Sequence, residues 1–315
     1  MVPDQKISRV LEMQTVALVV GGLILLGATF YAGIKARHLK AFLAARTKPT
    51  IANVDTKKFP GLTANELVEQ ALVAERLGEW HQAVERLLVA KRRSPSYRGI
   101  VFHAAKLSYD HGDFDGADLL LERAVAFGEE IDTANYLRGV IASGRNDLAA
   151  AEQFFQAAIE AEPFTPGYYY YLAETLRKQH RSKEAIVRYE QAASRTVNEQ
   201  DALLCRFKAR MAKVETPDWT QLQTEVDQKE RAGALTLDWL LTEAALKIRA
   251  GEFDKAAELI RQGRAIDQRN LPTSFASCTA DALFIEAAGK HPEIADSIRF
   301  GGSAAPPAAT AAPSP

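Results

Sequence analysis

The stretch His111–Glu122, HGDFDGADLLLE, spaces its side-chain oxygens in a way that could hold calcium. A calcium-binding helix-loop-helix uses ligands at loop positions 1, 3 and 5, a glycine at 6 and a bidentate glutamate at 12. Here Asp113, Asp115, Gly116 and Glu122 fall at 3, 5, 6 and 12. Two residues oppose that reading. His111 stands where the first carboxylate belongs, and charged Asp118 takes a position that is usually apolar.

Other reactive side chains are sparse or badly spaced. His38, His81, His103, His111, His180 and His291 never pair three or four apart on one helix. There is no phosphate-cradling glycine loop and no His-Glu-x-x-His. The two cysteines, Cys205 and Cys278, suit small buried side chains better than a disulfide framework. The chain therefore reads as non-enzymatic, with no cofactor and no metal.

The elements around His111 come from a repeat. Units starting at Ala64, Arg98, Asp132 and Pro166 follow one another at 34-residue steps, and a further unit begins at Leu237. Position 8 of these units holds Ala71, Ala105, Gly139, Ala173 and Ala244. Position 20 holds Ala83, Ala117, Ala151, Ala185 and Ala256, and position 27 holds Ala90, Ala124, Ala158, Ala192 and Gly263. Small side chains there let two helices approach closely and the next pair dock. Leu67, Leu87, Phe155, Leu172 and Tyr189 then fill the spaces at helical periodicity. One pair alone cannot bury its apolar face, so the units must stack. On this reading His111–Ala117 is the turn inside a pair, matching Gly78–Ala83 and Gly251–Ala256, and the calcium reading fails.

This pattern resembles the tetratricopeptide repeat (TPR) family over residues 64–270. The resemblance implies an all-α, right-handed superhelical solenoid whose first helices line a concave groove through positions 2, 5, 9, 12 and 13. Carried over, the groove comprises Phe102, Lys106, Tyr109, Tyr136, Tyr170, Glu174, Arg177, Leu204 and Leu241. Position 9 reads Leu72, Lys106, Val140, Glu174, Lys208 and Ala245, without the Asn of the family's carboxylate clamps. A protein or peptide partner is implied, in the role of an adaptor or scaffold.

Outside the repeats, Thr15–Ile34 passes twenty residues without a charge, enough for a membrane-spanning helix. Lys35, Arg37, Lys40, Arg46 and Lys48 follow it, which by the positive-inside rule puts the remaining chain in the cytoplasm. The expected organisation is a flank at 1–14, a single-pass helix at 15–34, a basic linker at 35–60, a repeat array with a capping helix at 61–300 and a disordered Ala/Pro tail at 301–315. Net charge is −1, with a net positive segment at residues 1–60 ahead of a mildly acidic remainder, so no nucleic-acid partner is expected. The plan is similar to bacterial envelope-assembly regulators with one N-terminal helix and cytoplasmic repeats. The alternative is an outward-facing component of a secretion, pilus or envelope complex that acts by self-association, hence a possible homo-oligomer. Between Gln200 and Thr236 the pattern breaks, with Phe207 at position 8 and Pro217 before a new helix.

Overall fold

The computed structural model describes residues 54–55, 57–216, 219–233, 236–270 and 272–299, with backbone only at 267–270 and 272–274. Among these residues the secondary structure is entirely helical. The chain divides into two compact units between Ser96 and Tyr97.

The first unit contains α1 (Ala64–Arg76) and α2 (Trp80–Arg93), packed as a pair. Helix α1 starts where the sequence supplies a capping box. The Thr63 N–H donates to the Glu66 carboxylate at 2.7 Å, and the Glu66 N–H donates to the Thr63 hydroxyl at 3.3 Å.

The second unit continues the same plan. Its helices are α3 (Ile100–Asp110), α4 (Phe114–Ala126), α5 (Ile131–Gly144), α6 (Leu148–Ala161), α7 (Pro166–Lys178) and α8 (Ser182–Arg195). After them come α9 (Glu199–Val214), α10 (Trp219–Arg231), α11 (Leu237–Ala250) and α12 (Phe253–Asn270). Three short helices finish it: α13 (Pro272–Thr279), α14 (Ala282–Lys290) and α15 (Pro292–Ile298).

The recurring small residues do what their spacing requires. The alanines at positions 8, 20 and 27 are all buried. Gly139 is the sharpest case: a Cβ there would stand 2.6 Å from Cε1 of Phe155, so the ring of α6 has taken the space of a side chain on α5.

The turn inside each pair also repeats, at position 15. Gly78, Gly112 and Gly251 adopt φ near +77°, +78° and +76°, which terminates the first helix. At the same place the second unit puts Asn146 (φ +60°) and His180 (φ +61°). The tertiary fit therefore imposes the left-handed conformation even where a Cβ makes it costly.

The calcium-like stretch is one of these turns. Asp113 accepts from the Gly116 N–H at 3.1 Å and begins α4. Asp115 pairs with Arg145 at 2.6 Å, and Asp118 with Arg138 at 2.9 Å. These carboxylates serve as a cap and as ion-pair partners.

Where the repeat breaks, α9 is longer than its counterparts and α10 begins at Trp219. Buried Arg210 on α9 lies over the Trp239 ring at 4.2 Å, donates to the Thr242 hydroxyl at 3.0 Å and pairs with Asp238. A charged anchor thus replaces the close contact of alanines in this stretch. The expected single capping helix is instead three. Thr279 donates its hydroxyl to the Phe275 carbonyl at 2.9 Å, and Asp281 caps α14 by accepting from the Leu283 N–H at 3.3 Å.

The expected single-pass membrane location is corrected. Among the described residues no helix is long and apolar enough to cross a membrane. The longest, α12, carries Asp254, Lys255, Glu258, Arg261 and Arg264 along its turns, a composition for a solvated face. The stretches 1–14 and 15–34, most of 35–60 and the tail at 301–315 lie outside the described residues.

Candidate protein-binding cleft

A cleft of about 1330 Å³ lies in the second unit, bounded by α5, α7, α9 and the α13–α14 turn. Helix α7 supplies most of one wall. Its start is fixed by Pro166 in the first turn, a favoured place for a residue without an N–H. From there the helical repeat sends Tyr170, Glu174, Arg177 and Lys178 toward the cleft, and α9 adds Leu204 and Lys208. The C-terminal helices contribute Ala276, Asp281 and Ile285.

The floor is a charged network closed within the chain. Arg177 donates to Asp281 through two nitrogens, Nη1 to Oδ2 at 2.7 Å and Nη2 to Oδ1 at 3.1 Å. Its Nε also donates to Glu215 at 2.7 Å. Lys208 Nζ lies 3.0 Å from Asp281 and 3.6 Å from Glu174. Glu174 accepts the Tyr189 hydroxyl at 2.5 Å. Burial by itself would raise the Asp281 pKa, but the Arg177 hydrogen bonds and the Lys208 charge outweigh it and hold the carboxyl well below its ordinary value. Burial would lower Lys208, yet the Glu174 and Asp281 charges leave it above its ordinary value. Both groups stay ionised at neutral pH.

The rest of the lining mixes apolar side chains, Val140, Tyr170, Tyr171, Leu204 and Ile285, with Ser143, His180, Ser182 and Ser277. Tyr170 is buried, with its ring edge-on to Tyr189 at 5.8 Å and to Tyr171 at 5.6 Å. Ile285 is the one large hydrophobic side chain of the lining that is exposed, at 60%, on α14. A large apolar side chain left in water beside a cleft marks a place where another surface can gain by covering it.

The nine residues expected in the groove separate into four groups. Tyr170, Glu174, Arg177 and Leu204 line the cleft together. Tyr136 packs against Tyr171 (5.1 Å), Tyr168 (5.5 Å) and Phe155 (6.1 Å), as part of an aromatic cluster between α5, α6 and α7. Leu241 is completely buried on α11, so its place is in the core. Phe102, Lys106 and Tyr109 sit on α3, away from this cleft. There the Phe102 N–H donates to Glu129, Lys106 pairs with Asp110 at 2.8 Å, and Tyr109 meets Phe114 edge-on at 5.5 Å.

Sequence reasoning missed Asp281, Glu215 and Ile285. A helix-capping Asp before ALFIEAAGK is a readable signal. Its reach to Arg177, 104 residues earlier, is not. Among the described residues no group of three or more His, Cys, Asp or Glu is arranged to hold a metal ion.

The described residues form stacked helix pairs on a 34-residue repeat. No protein-family model matches the sequence of the chain, and no curated protein does. Among solved structures it is similar to a MamA protein, at 15% identity and TM-score 0.45 over 67% of this chain and 94% of that one. A second likeness is to MamA, residue 41 to the end, from Desulfovibrio magneticus RS-1, at 12% identity and TM-score 0.43 over 66% and 97%. A third is to YrrB, a TPR protein with an unusual peptide-binding site, at 13% identity and TM-score 0.41 over 66% and 89%. Likeness at that level carries no argument about function, which rests on the geometry above.

Proposed function

We propose that this chain is a TPR-type scaffold that binds a protein or peptide partner in the cleft of its second unit. The observation that supports this most directly is Ile285, exposed beside a cavity of about 1330 Å³ with Tyr170, Tyr171 and Leu204 on its walls. Small-molecule sites are typically about 300–1,000 Å³ and more enclosed. This cleft is larger and partly open to solvent, which leaves room for side chains from another polypeptide. Its ionised groups are engaged with one another, so they shape and stiffen the site instead of performing chemistry. Replacing Ile285 with Glu should abolish co-purification of the partner, while Val187→Glu on α8, half exposed and outside the cleft, should leave it intact. Loss with both variants, or with neither, would contradict the proposal.

Self-association is a second reading with its own observation. Phe164 is 80% exposed and Val197 fully exposed, on consecutive turns that join one helix pair to the next. Sedimentation of the full chain and of Phe164→Ser/Val197→Ser decides it. A concentration-dependent dimer that the double variant dissolves supports this reading, and a monomer throughout rejects it.

A further inference from the structure

The charges that line the cleft are almost all satisfied from within the chain. Arg177 and Lys208, the two cations on its floor, are nearly buried and share Asp281, whose side chain has no exposure at all. Arg177 has Glu215 as a second carboxylate, and Lys208 has Glu174. Two cations thus face three carboxylates. A carboxylate arriving from a partner would meet excess negative charge there. It would also have to expel Asp281, a tethered competitor whose effective concentration is on the order of millimolar or higher.

Lys178 differs. It is exposed at the end of α7, and its Nζ has the Ser143 hydroxyl at 3.3 Å. Of the three Lys/Arg side chains that line the cleft, it alone has no carboxylate within ion-pair distance among the described residues. Every carboxylate of the lining, by contrast, already has a cation. The Lys/Arg charge of the lining that has no carboxylate partner within the described residues is therefore the exposed one, on the same lining as Ile285.

We propose that the cleft takes an internal apolar segment bearing an acidic side chain, read by Lys178 and Ile285, and not a terminal carboxylate held by Arg177 and Lys208. This rests on the cleft being the partner-binding site. Apolar cover supplies the affinity, and the pairing with Lys178 selects among partners of similar shape.

The test uses the full chain and three synthetic amphipathic Leu/Ala peptides of about fourteen residues, a length suited to a helix lying in a groove. Two are acetylated and amidated, with Glu or Lys at the same two polar-face positions. The third is the Glu peptide with a free C-terminal carboxylate. By fluorescence anisotropy the Glu peptide should bind about tenfold more tightly than the Lys peptide, and Lys178→Glu should invert that order. Freeing the terminus should change the affinity less than about twofold, since no unfilled cation pair awaits it. A tenfold gain from the free terminus that Lys208→Gln removes would overturn the proposal. So would a preference for Glu that survives Lys178→Glu. If both amidated peptides bind alike and Ile285→Glu removes both, the charge reading falls and the cleft reading stands. If no peptide binds, or binding ignores Ile285→Glu, both readings fall. Lys178 is an exposed side chain, and circular dichroism of the variant checks that it is folded.

Discussion

Arg177 grips both carboxylate oxygens of Asp281, joining the middle of the second unit to its C-terminal helices across 104 residues of chain. Removing one partner of a buried pair leaves an uncompensated charge and costs about 3–5 kcal/mol. Glu215 and Glu174 still flank the cations, so Asp281→Asn should fall at the lower end of that range. Urea unfolding followed by circular dichroism gives the value. A change below about 0.5 kcal/mol, the level of an ordinary surface substitution, would show that the grip contributes little.

The same carboxylate predicts a pH dependence. Its folded pKa lies below its unfolded value, so the unfolded chain binds the proton more readily. The stabilisation is complete above the ordinary carboxylate range and declines as pH falls through it toward the folded value. Stability measured from pH 7 down to pH 2 should therefore drop less steeply in Asp281→Asn than in the natural chain. Parallel curves would contradict this assignment.

Gly139 offers a test of the small-residue columns. Alanine is the better helix former by about 1 kcal/mol. Its Cβ, however, would meet the rigid, fully buried Phe155 ring at 2.6 Å. Overpacking of this kind costs about 1–3 kcal/mol, so Gly139→Ala should destabilise on balance. At Gly263, where the nearest atom is a flexible Leu237 methyl at 3.2 Å, the same change should be near neutral. Equal effects at the two sites, read from thermal melts, would refute the close-contact account.

The left-handed turns give a prediction of opposite sign. His180 and Asn146 occupy a backbone region that costs a residue with a Cβ about 1–2 kcal/mol, partly offset by the extra freedom glycine has when unfolded. His180→Gly and Asn146→Gly should each stabilise by about 0.5–1 kcal/mol. Destabilisation would mean that these side chains contribute contacts that outweigh the strain.

Tyr170→Ala and Tyr136→Ala will not serve as simple binding tests. Both rings are packed among aromatic neighbours, and truncating a buried aromatic costs about 3–5 kcal/mol. Ile285 and Lys178 are the informative positions because they are exposed.

Much of this fold is legible in the residues. The spacing of Ala83, Ala117, Ala151, Ala185 and Ala256 places every second helix, and the turn column places the glycines that end the first ones. Both are local signals, governed by helical period and backbone sterics. The cleft is only half legible for the same reason. Tyr170, Glu174, Arg177 and Leu204 follow from position within a unit, whereas Leu241 obeys the same count and is buried, because α12 packs over it. Asp281 and Ile285 belong to helices outside the repeat, and no periodicity connects them to Arg177.

The central claim is that another polypeptide sits against Ile285. Placing a photo-reactive phenylalanine analogue at residue 285, and separately at 187, tests it within the living cell. The account predicts a discrete protein adduct from 285 and none from 187. Adducts of equal yield from both positions, or from 187 alone, would contradict it.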